Sequence, residues 1–346
     1  MIDTRSPHTL LAIETSCDET SAAILKHGSV LSNVISSQDV HAIYGGVVPE
    51  LASRAHMRFI VPVVQEALSR AGVAKTELSA VAATYGPGLA GSLLVGLSFA
   101  KSVAHGLGVP FIGVNHLEGH LYSNYLGGPP PEHPFLSLVV SGGHTMLVHV
   151  RSPLSHDVLG QTLDDAAGEA FDKVAKMLCL GYPGGPIIDQ LAATGNPSAI
   201  PFPRSHLEEG SLDFSFSGLK TSVLYYLRGK GLAGPSERGG HGNVHSVADI
   251  AASFQQAVVD VLVAKTMAAA DRLGVTEVTI AGGVSANSAL RRQMKTEGEK
   301  RGLTVKYPRG EYCMDNAAMV GYVGWLRMMT GDVSSLQLQV EPNLAL

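Results

Sequence analysis

Residues 10–25 read LLAIETSCDETSAAIL, and residues 135–150 read FLSLVVSGGHTMLVHV. Each stretch is an apolar strand, a short tip of small and polar residues, and a second apolar strand, which is the pattern of a β-hairpin. The first tip carries Ser16, Asp18 and Thr20; the second carries Ser141, Gly142, Gly143 and Thr145. Hydroxyls, a carboxylate and bare backbone amides suit both tips to approach a ligand. A third strand is expected after each hairpin, over residues 30–35 and, with a weaker pattern, over 157–160.

The likeness continues downstream. Residues 79–85 form a candidate strand, followed by Gly86-Pro87-Gly88, a helix over 91–105 and a strand over 110–114; residues 276–280, Gly282-Gly283, 287–301 and 303–307 repeat that order. The chain therefore predicts a duplicated α/β fold, each half a mixed sheet that opens as an antiparallel meander and closes with parallel strands joined by helices. Two such lobes around a central cleft are similar to the actin-like, Hsp70-like ATPase (ASKHA) architecture, which sugar kinases share. The expected division is residues 1–130 plus 316–346 for an N-terminal lobe with a returning C-terminal helix, and 131–315 for a C-terminal lobe. Apolar stripes mark further helices over 52–71, 165–178 and 248–273. Residues 229–243, GKGLAGPSERGGHGN, have no periodicity and no strand leading into them, so they read as a mobile surface insertion, not a phosphate loop.

Composition narrows the class. With 346 residues, 45% hydrophobic and 16% charged, the chain has material for two well-buried domains. No apolar run is expected to span a membrane, and the opening MIDTRSPHTLLAIE lacks a signal-peptide apolar region. Cys17, Cys179 and Cys313 are scattered with no CxxC, so neither a disulfide framework nor a cysteine zinc site is indicated, and the cytoplasm is the expected compartment. A net charge of −5 gives no general pull toward nucleic acid, and the clusters Arg54/Arg58, Lys173/Lys176 and Arg291/Arg292/Lys295 have the spacing of solvated helix faces.

After the strand at 110–114 comes Asn115-His116-Leu117-Glu118-Gly119-His120. On a helix His116 and His120 share one face and can chelate one divalent metal. The same spacing recurs at His241 and His245, among glycines where no helix is expected. What distinguishes the first pair is the duplication: the matching place in the second half is Tyr312-Cys313-Met314-Asp315-Asn316, so Asp315 is expected to face the histidines across the cleft and complete a His, His, Asp set suited to Fe(II) or Zn(II). Without that pair opposite, Asp315 would read as a helix N-terminal carboxylate.

A nucleotide is expected on glycines. Ser141-Gly142-Gly143 and Gly282-Gly283 follow strands, and Gly181-Tyr182-Pro183-Gly184-Gly185-Pro186 offers a flat backbone beside Asp189, whose carboxylate would accept ribose hydroxyls. Neither GxxxxGK[ST] nor a helix-opening GxGxxG is present. Asp165, Glu169 and Asp172 are expected on one short helix whose alanines and glycine allow close packing beside a ligand.

These segments together resemble one family, the tRNA N6-adenosine threonylcarbamoyltransferases (bacterial TsaD and its archaeal and eukaryotic relatives). The motifs that carry the resemblance are IETSCDET (13–20), GGVVPELASRAH (45–56), GPGLAGSL (86–93), NHLEGH (115–120), VSGGHT (140–145), GEAFDKVAKML (168–178), GYPGGP (181–186), DFSFSGLKT (213–221), AGGVSAN (281–287) and CMDNAAM (313–319). They cover nearly the whole chain in order. The resemblance implies transfer of threonylcarbamoyl from threonylcarbamoyl-AMP to the N6 amine of the adenosine 3′ of the anticodon in tRNAs reading ANN codons, with release of AMP. It implies that His116, His120 and Asp315 hold the metal, Fe(II) first and Zn(II) as the alternative. Val139, Val140, Ser141, Gly142, Gly143, Asp172, Gly185, Asp189 and Asn287 would contact the adenylate, and Asp18 and Glu19 would form the acidic catalytic tip. Partners implied are tRNA, a smaller non-catalytic paralogue of the same fold (TsaB-like) and a P-loop ATPase (TsaE-like). Archaeal relatives carry a metal-reaching Tyr at the position of Val139, and residues 229–243 have no clear counterpart in the family.

Other readings are weaker. An ATP-binding kinase or chaperone of the same fold would place Mg²⁺ on carboxylates, not on two imidazoles. A metalloprotease needs HExxH, whereas Leu117 follows His116 and Glu118 falls off the metal face. An assembly partner without catalysis would not need the set of site motifs.

Overall fold

A computed structural model describes residues 8–38, 40–204, 208, 210–229 and 245–346. The chain divides into two compact units, residues 1–130 with 308–346, and residues 131–307. The return to the first unit falls at Pro308, eight residues before the boundary expected at 316, so Asp315 belongs to the unit of His116 and His120. Except for Gly229, the insertion expected at 229–243 lies outside the described residues, as does His241.

The first unit opens with β1 (Thr9–Glu14), β2 (Thr20–Lys26) and β3 (Ser29–Ser36), an antiparallel meander. The short α1 (His41–Tyr44) and long α2 (Pro49–Ala71) lead to β4 (Ala80–Gly86), α3 (Ala90–Leu107), β5 (Phe111–Asn115) and α4 (His116–Tyr122). The sheet order is β3-β2-β1-β4-β5, with β4 parallel to both β1 and β5. All six residues of β1 are buried, as expected for a strand covered on both faces. The two-residue period sorts them: Leu11 and Ile13 join Ile60, Val63 and Val64 of α2 and Leu97 and Ala100 of α3 in one core.

The second unit repeats the plan. β6 (Phe135–Val140), β7 (Thr145–Ser152) and β8 (Ser155–Gln161) form the meander. Then come α5 (Ala167–Met177), α6 (Gly184–Ala192), α7 (Ser217–Gly229), α8 (Val247–Leu273), β9 (Glu277–Ala281), α9 (Ser288–Lys300) and β10 (Thr304–Lys306). The order β10-β9-β6-β7-β8 matches the first sheet strand for strand. α5 starts at Ala167, so Asp165 is not on it; its carboxylate precedes the helix and pairs with Lys173 at 2.9 Å and Lys220 at 2.7 Å. No membrane-length apolar run was expected, yet α8 is long and apolar enough to cross one; 67% of its most apolar window is buried in the unit's core.

The chain then returns to the first unit as α10 (Ala317–Thr330). Its small residues decide how closely it sits on the sheet. A Cβ at Gly321 would strike Leu25 and Ala12, and one at Gly324 would strike Ala82. At its start Met319 packs against Gly119 of α4, which carries Asp315 to the face where the two histidines lie.

Candidate functional site

His116 and His120 are on α4, whose first turn is held by Asn115: its side-chain oxygen accepts from the Leu117 amide at 2.8 Å. Both imidazoles are buried, ring centroids 4.7 Å apart. Asp315 Oδ1 lies 3.5 Å from His116 Nε2 and 3.0 Å from His120 Nε2. One ligand atom from each of the three falls within 4.8 Å of the others. Two imidazoles and a carboxylate at this spacing fit a divalent ion such as Fe(II) or Zn(II). Asp315 is brought there within one unit, by the docking of α10, and not from the opposite lobe as the duplication suggested.

Glu14, to which sequence reasoning assigned no role, is the support of this group. It ends β1 fully buried, and its carboxylate accepts from the Ser16 amide at 2.5 Å, Thr84 Oγ1 at 2.5 Å and His116 Nδ1 at 3.1 Å. A carboxylate can only accept, so His116 Nδ1 carries the proton and Nε2 faces Asp315. Burial opposes charge on both partners. The attraction of Asp315 and Glu14 nonetheless pushes His116 up to about 9, and His116 in turn holds the Glu14 carboxyl below its usual range. The available signal was an acid closing an otherwise apolar strand, because a buried carboxylate must have partners.

Asp18 and Glu19 are half-buried on the β1–β2 tip. Burial, then Asp315 and Asp18, push Glu19 up to about 10. The tip is braced by His56 of α2: its Nε2 donates to the Cys17 carbonyl at 2.9 Å, leaving Nδ1 to accept from Thr20 Oγ1 at 2.8 Å. Glu118 faces away from the histidines and pairs with Arg327 of α10 at 2.8 Å, so it serves the α4–α10 junction and is no metalloprotease base.

In the second unit the candidate adenylate contacts form a closed circuit. The β6–β7 tip is tied by the Ser141 amide to the His144 carbonyl at 2.8 Å. α5 packs so near that a Cβ on Gly168 would meet the Ser141 carbonyl and Gly142 Cα. Asp172 on α5 accepts from the Gly184 amide at 2.7 Å, which anchors the start of α6. Asp189 on α6 accepts from the amide and hydroxyl of Ser288 at 3.0 and 2.8 Å, so the carboxylate expected to receive ribose hydroxyls already holds the start of α9. Asn287 caps α9 through Leu290 at 2.9 Å and donates to Gln255 at 2.7 Å. Gly282, at φ +86, closes the ring against Val140 and Ser141. Val139 and Val140 are wholly buried strand residues. Gly142, Gly143 and Gly185 instead have open space where a side chain would stand.

A family profile described as tRNA N6-adenosine threonylcarbamoyltransferase matches residues 29–322. The protein of that name from Salinibacter ruber is 57% identical over 338 residues, spanning 97% of this chain and 99% of its own length. Its counterpart in Clostridioides difficile is 51% identical over 336 residues, 96% of this chain and 97% of its own. The chain belongs to this family. Among solved structures, HypF of T. kodakarensis superposes with a TM-score of 0.63 at 15% identity, over 94% of this chain and 48% of that one. Component A of the Acidaminococcus fermentans (R)-2-hydroxyglutaryl-CoA dehydratase gives 0.54 at 16% identity, over 93% and 99%. At such identities the likeness concerns the fold alone, and it is the duplicated actin-like α/β fold. The metal-ligand group and the glycine tip described above are thus features of a threonylcarbamoyltransferase family member.

Proposed function

We propose that this chain transfers the threonylcarbamoyl group of threonylcarbamoyl-AMP to the N6 amine of the adenosine 3′ of the anticodon in tRNAs reading ANN codons, releasing AMP. The observation that carries this is the family match over 294 residues, 29–322, joined to the His116, His120 and Asp315 group. Two imidazoles beside one carboxylate do not favour the kinase or chaperone reading.

The roles are assigned within each unit. His116, His120 and Asp315 would hold Fe(II) or Zn(II), with Glu14 orienting His116. Such an ion, when bound, supplies a Lewis acid that polarises a carbonyl oxygen. Gly142, Gly143 and Gly185, where no side chain intrudes, would receive the adenylate through backbone, with Asp172, Asp189 and Asn287 contacting it while also holding those segments in place. Val139 and Val140, being buried, would take part through backbone. Asp18 would accept the proton of the attacking amine at a carboxylate oxygen, and Glu19, kept protonated by burial and its acidic neighbours, would position that amine. The family supports tRNA and threonylcarbamoyl-AMP as substrates; a TsaB-like paralogue, a TsaE-like ATPase and a cytoplasmic location complete the proposal.

Incubation with threonylcarbamoyl-AMP, tRNA and those candidate partners should convert the adenosine, scored by mass spectrometry of digested tRNA. Unmodified tRNA in every combination would refute the assignment.

A further inference from the structure

The segment after α10 is mostly exposed, yet it is hydrogen-bonded along the edge of the first sheet toward the metal-ligand helix. The Ser334 amide donates to the Phe111 carbonyl at 2.8 Å, and the Gly113 amide donates to Ser334 Oγ at 2.9 Å. Lys101 Nζ donates to the Leu338 carbonyl, and Leu338 and Val340 pack on the core. Farther on, the Glu341 amide donates to the Tyr85 carbonyl at 2.8 Å and the Gly88 amide to the Pro342 carbonyl at 3.1 Å. The last contact is Asn115 Nδ2 donating to the Ala345 carbonyl at 2.8 Å.

Two routes lead from this segment to His116. Asn115 is the N-cap of α4, and an amide has one oxygen and one NH₂, so the Ala345 carbonyl on Nδ2 fixes Oδ1 toward Leu117. On the other side, the turn at residues 86–88 leads to Leu89, whose amide donates to the Ser16 carbonyl at 2.8 Å; Ser16 Oγ lies 3.2 Å from His116 Nδ1. Glycine is required at residue 86, where a Cβ would overlap the Glu341 carbonyl although Gly86 has no positive φ; one at Gly113 would press on the end of the Leu338 side chain.

We propose that residues 334–345 are a strap that positions the metal-ligand helix, acting through Asn115 and through the turn at residues 86–88. The inference rests on the metal reading of His116, His120 and Asp315. Loosening a segment that only stabilised the first unit would lower the melting temperature of the metal-free protein and leave the metal affinity of folded protein unchanged. A strap changes the affinity itself, because ligands held less firmly must be ordered when the ion binds.

The test is Zn(II) affinity, measured by competition with a chromophoric chelator on protein shown to be folded by circular dichroism. Four full-length or shortened chains are compared with the parent: Gly86→Ala, Asn115→Asp, deletion of residues 339–346, and the deletion combined with Asn115→Asp. Asn115→Asp keeps the capping oxygen and removes the donor to Ala345. Each single change should weaken Zn(II) about tenfold, and Asn115→Asp should add little once the strap is deleted, since both act through one contact. If the shortened chain does not fold, Gly86→Ala and Asn115→Asp decide. Parent affinity retained in the folded variants would overturn the strap alone; a parent protein that binds no Zn(II) would overturn the metal reading, and the strap with it.

Discussion

His116 turns its Nδ1 to Glu14, 3.1 Å away, and thereby presents Nε2 to Asp315. The relationship makes a strand-terminal acid of β1 the orienting partner of a ligand more than a hundred residues later.

Glu14→Gln keeps the shape of the side chain but removes the charge that favours a proton on Nδ1. Zn(II) or Fe(II) affinity should fall about 10- to 100-fold with the fold retained. Titration of the variant against parent protein checks this, and equal affinity would count against the orienting role.

Asp315→Ala should remove bound metal and transfer activity together, because it deletes the anionic ligand that both Nε2 atoms face. Metal content by mass spectrometry and tRNA modification are the paired readouts. Full transfer by metal-free protein would separate the ion from the chemistry.

Two glycine substitutions should behave oppositely. Gly168→Ala drives a methyl group into the Ser141 carbonyl and Gly142, costing about 1–3 kcal/mol of stability. Gly142→Ala meets nothing within 4 Å, so it should leave the melting temperature unchanged and weaken AMP binding, as read by calorimetry. Unaltered AMP affinity in Gly142→Ala would argue against a ligand at that tip.

Burial holds the His56 imidazole below its ordinary value of 6.5, against the pull of the Cys17 carbonyl. As pH falls, the unfolded chain therefore takes up this proton before the folded one does. The stability that neutral His56 contributes is complete above pH 6.5 and is lost as pH drops from there through its folded-state value. Melting temperatures across that window should fall more steeply for the parent than for His56→Gln. Parallel curves would exclude this contribution.

Glu118→Gln breaks the pair with Arg327, which has a second partner in Asp332 at 2.5 Å. It should lower stability by about 1–3 kcal/mol while metal binding persists. Loss of metal at full stability would instead make Glu118 part of the site.

Much of this protein is local enough to be written in sequence. Strand alternation and the tip residues of the two hairpins specify the meanders, and the repeated strand, turn and helix specify the parallel strands that follow, so two mixed sheets built from the same succession of elements were legible, while their spatial strand order came from the tertiary structure. The spacing of His116 and His120 needs only one helix. Other relationships depend on packing between distant segments and leave little trace in local pattern. Asp315 reaches the histidines because Gly321 and Gly324 let α10 sit tightly on β1 and β4, a fit of volumes rather than a periodicity. Asp189 reads in sequence as an acceptor of ribose hydroxyls, and only the tertiary structure shows that it also accepts from the amide and hydroxyl of Ser288. Asp165 was assigned to a helix by its neighbours' composition, and two lysine ammonium groups hold it before that helix begins. The sequence alone thus determined the duplicated α/β plan and the ligand types; the supports of those ligands, Glu14 and the strap that ends on Asn115, were decided by the tertiary structure, because hydrogen-bond partners far apart in the chain are chosen only when the sheets and helices have packed.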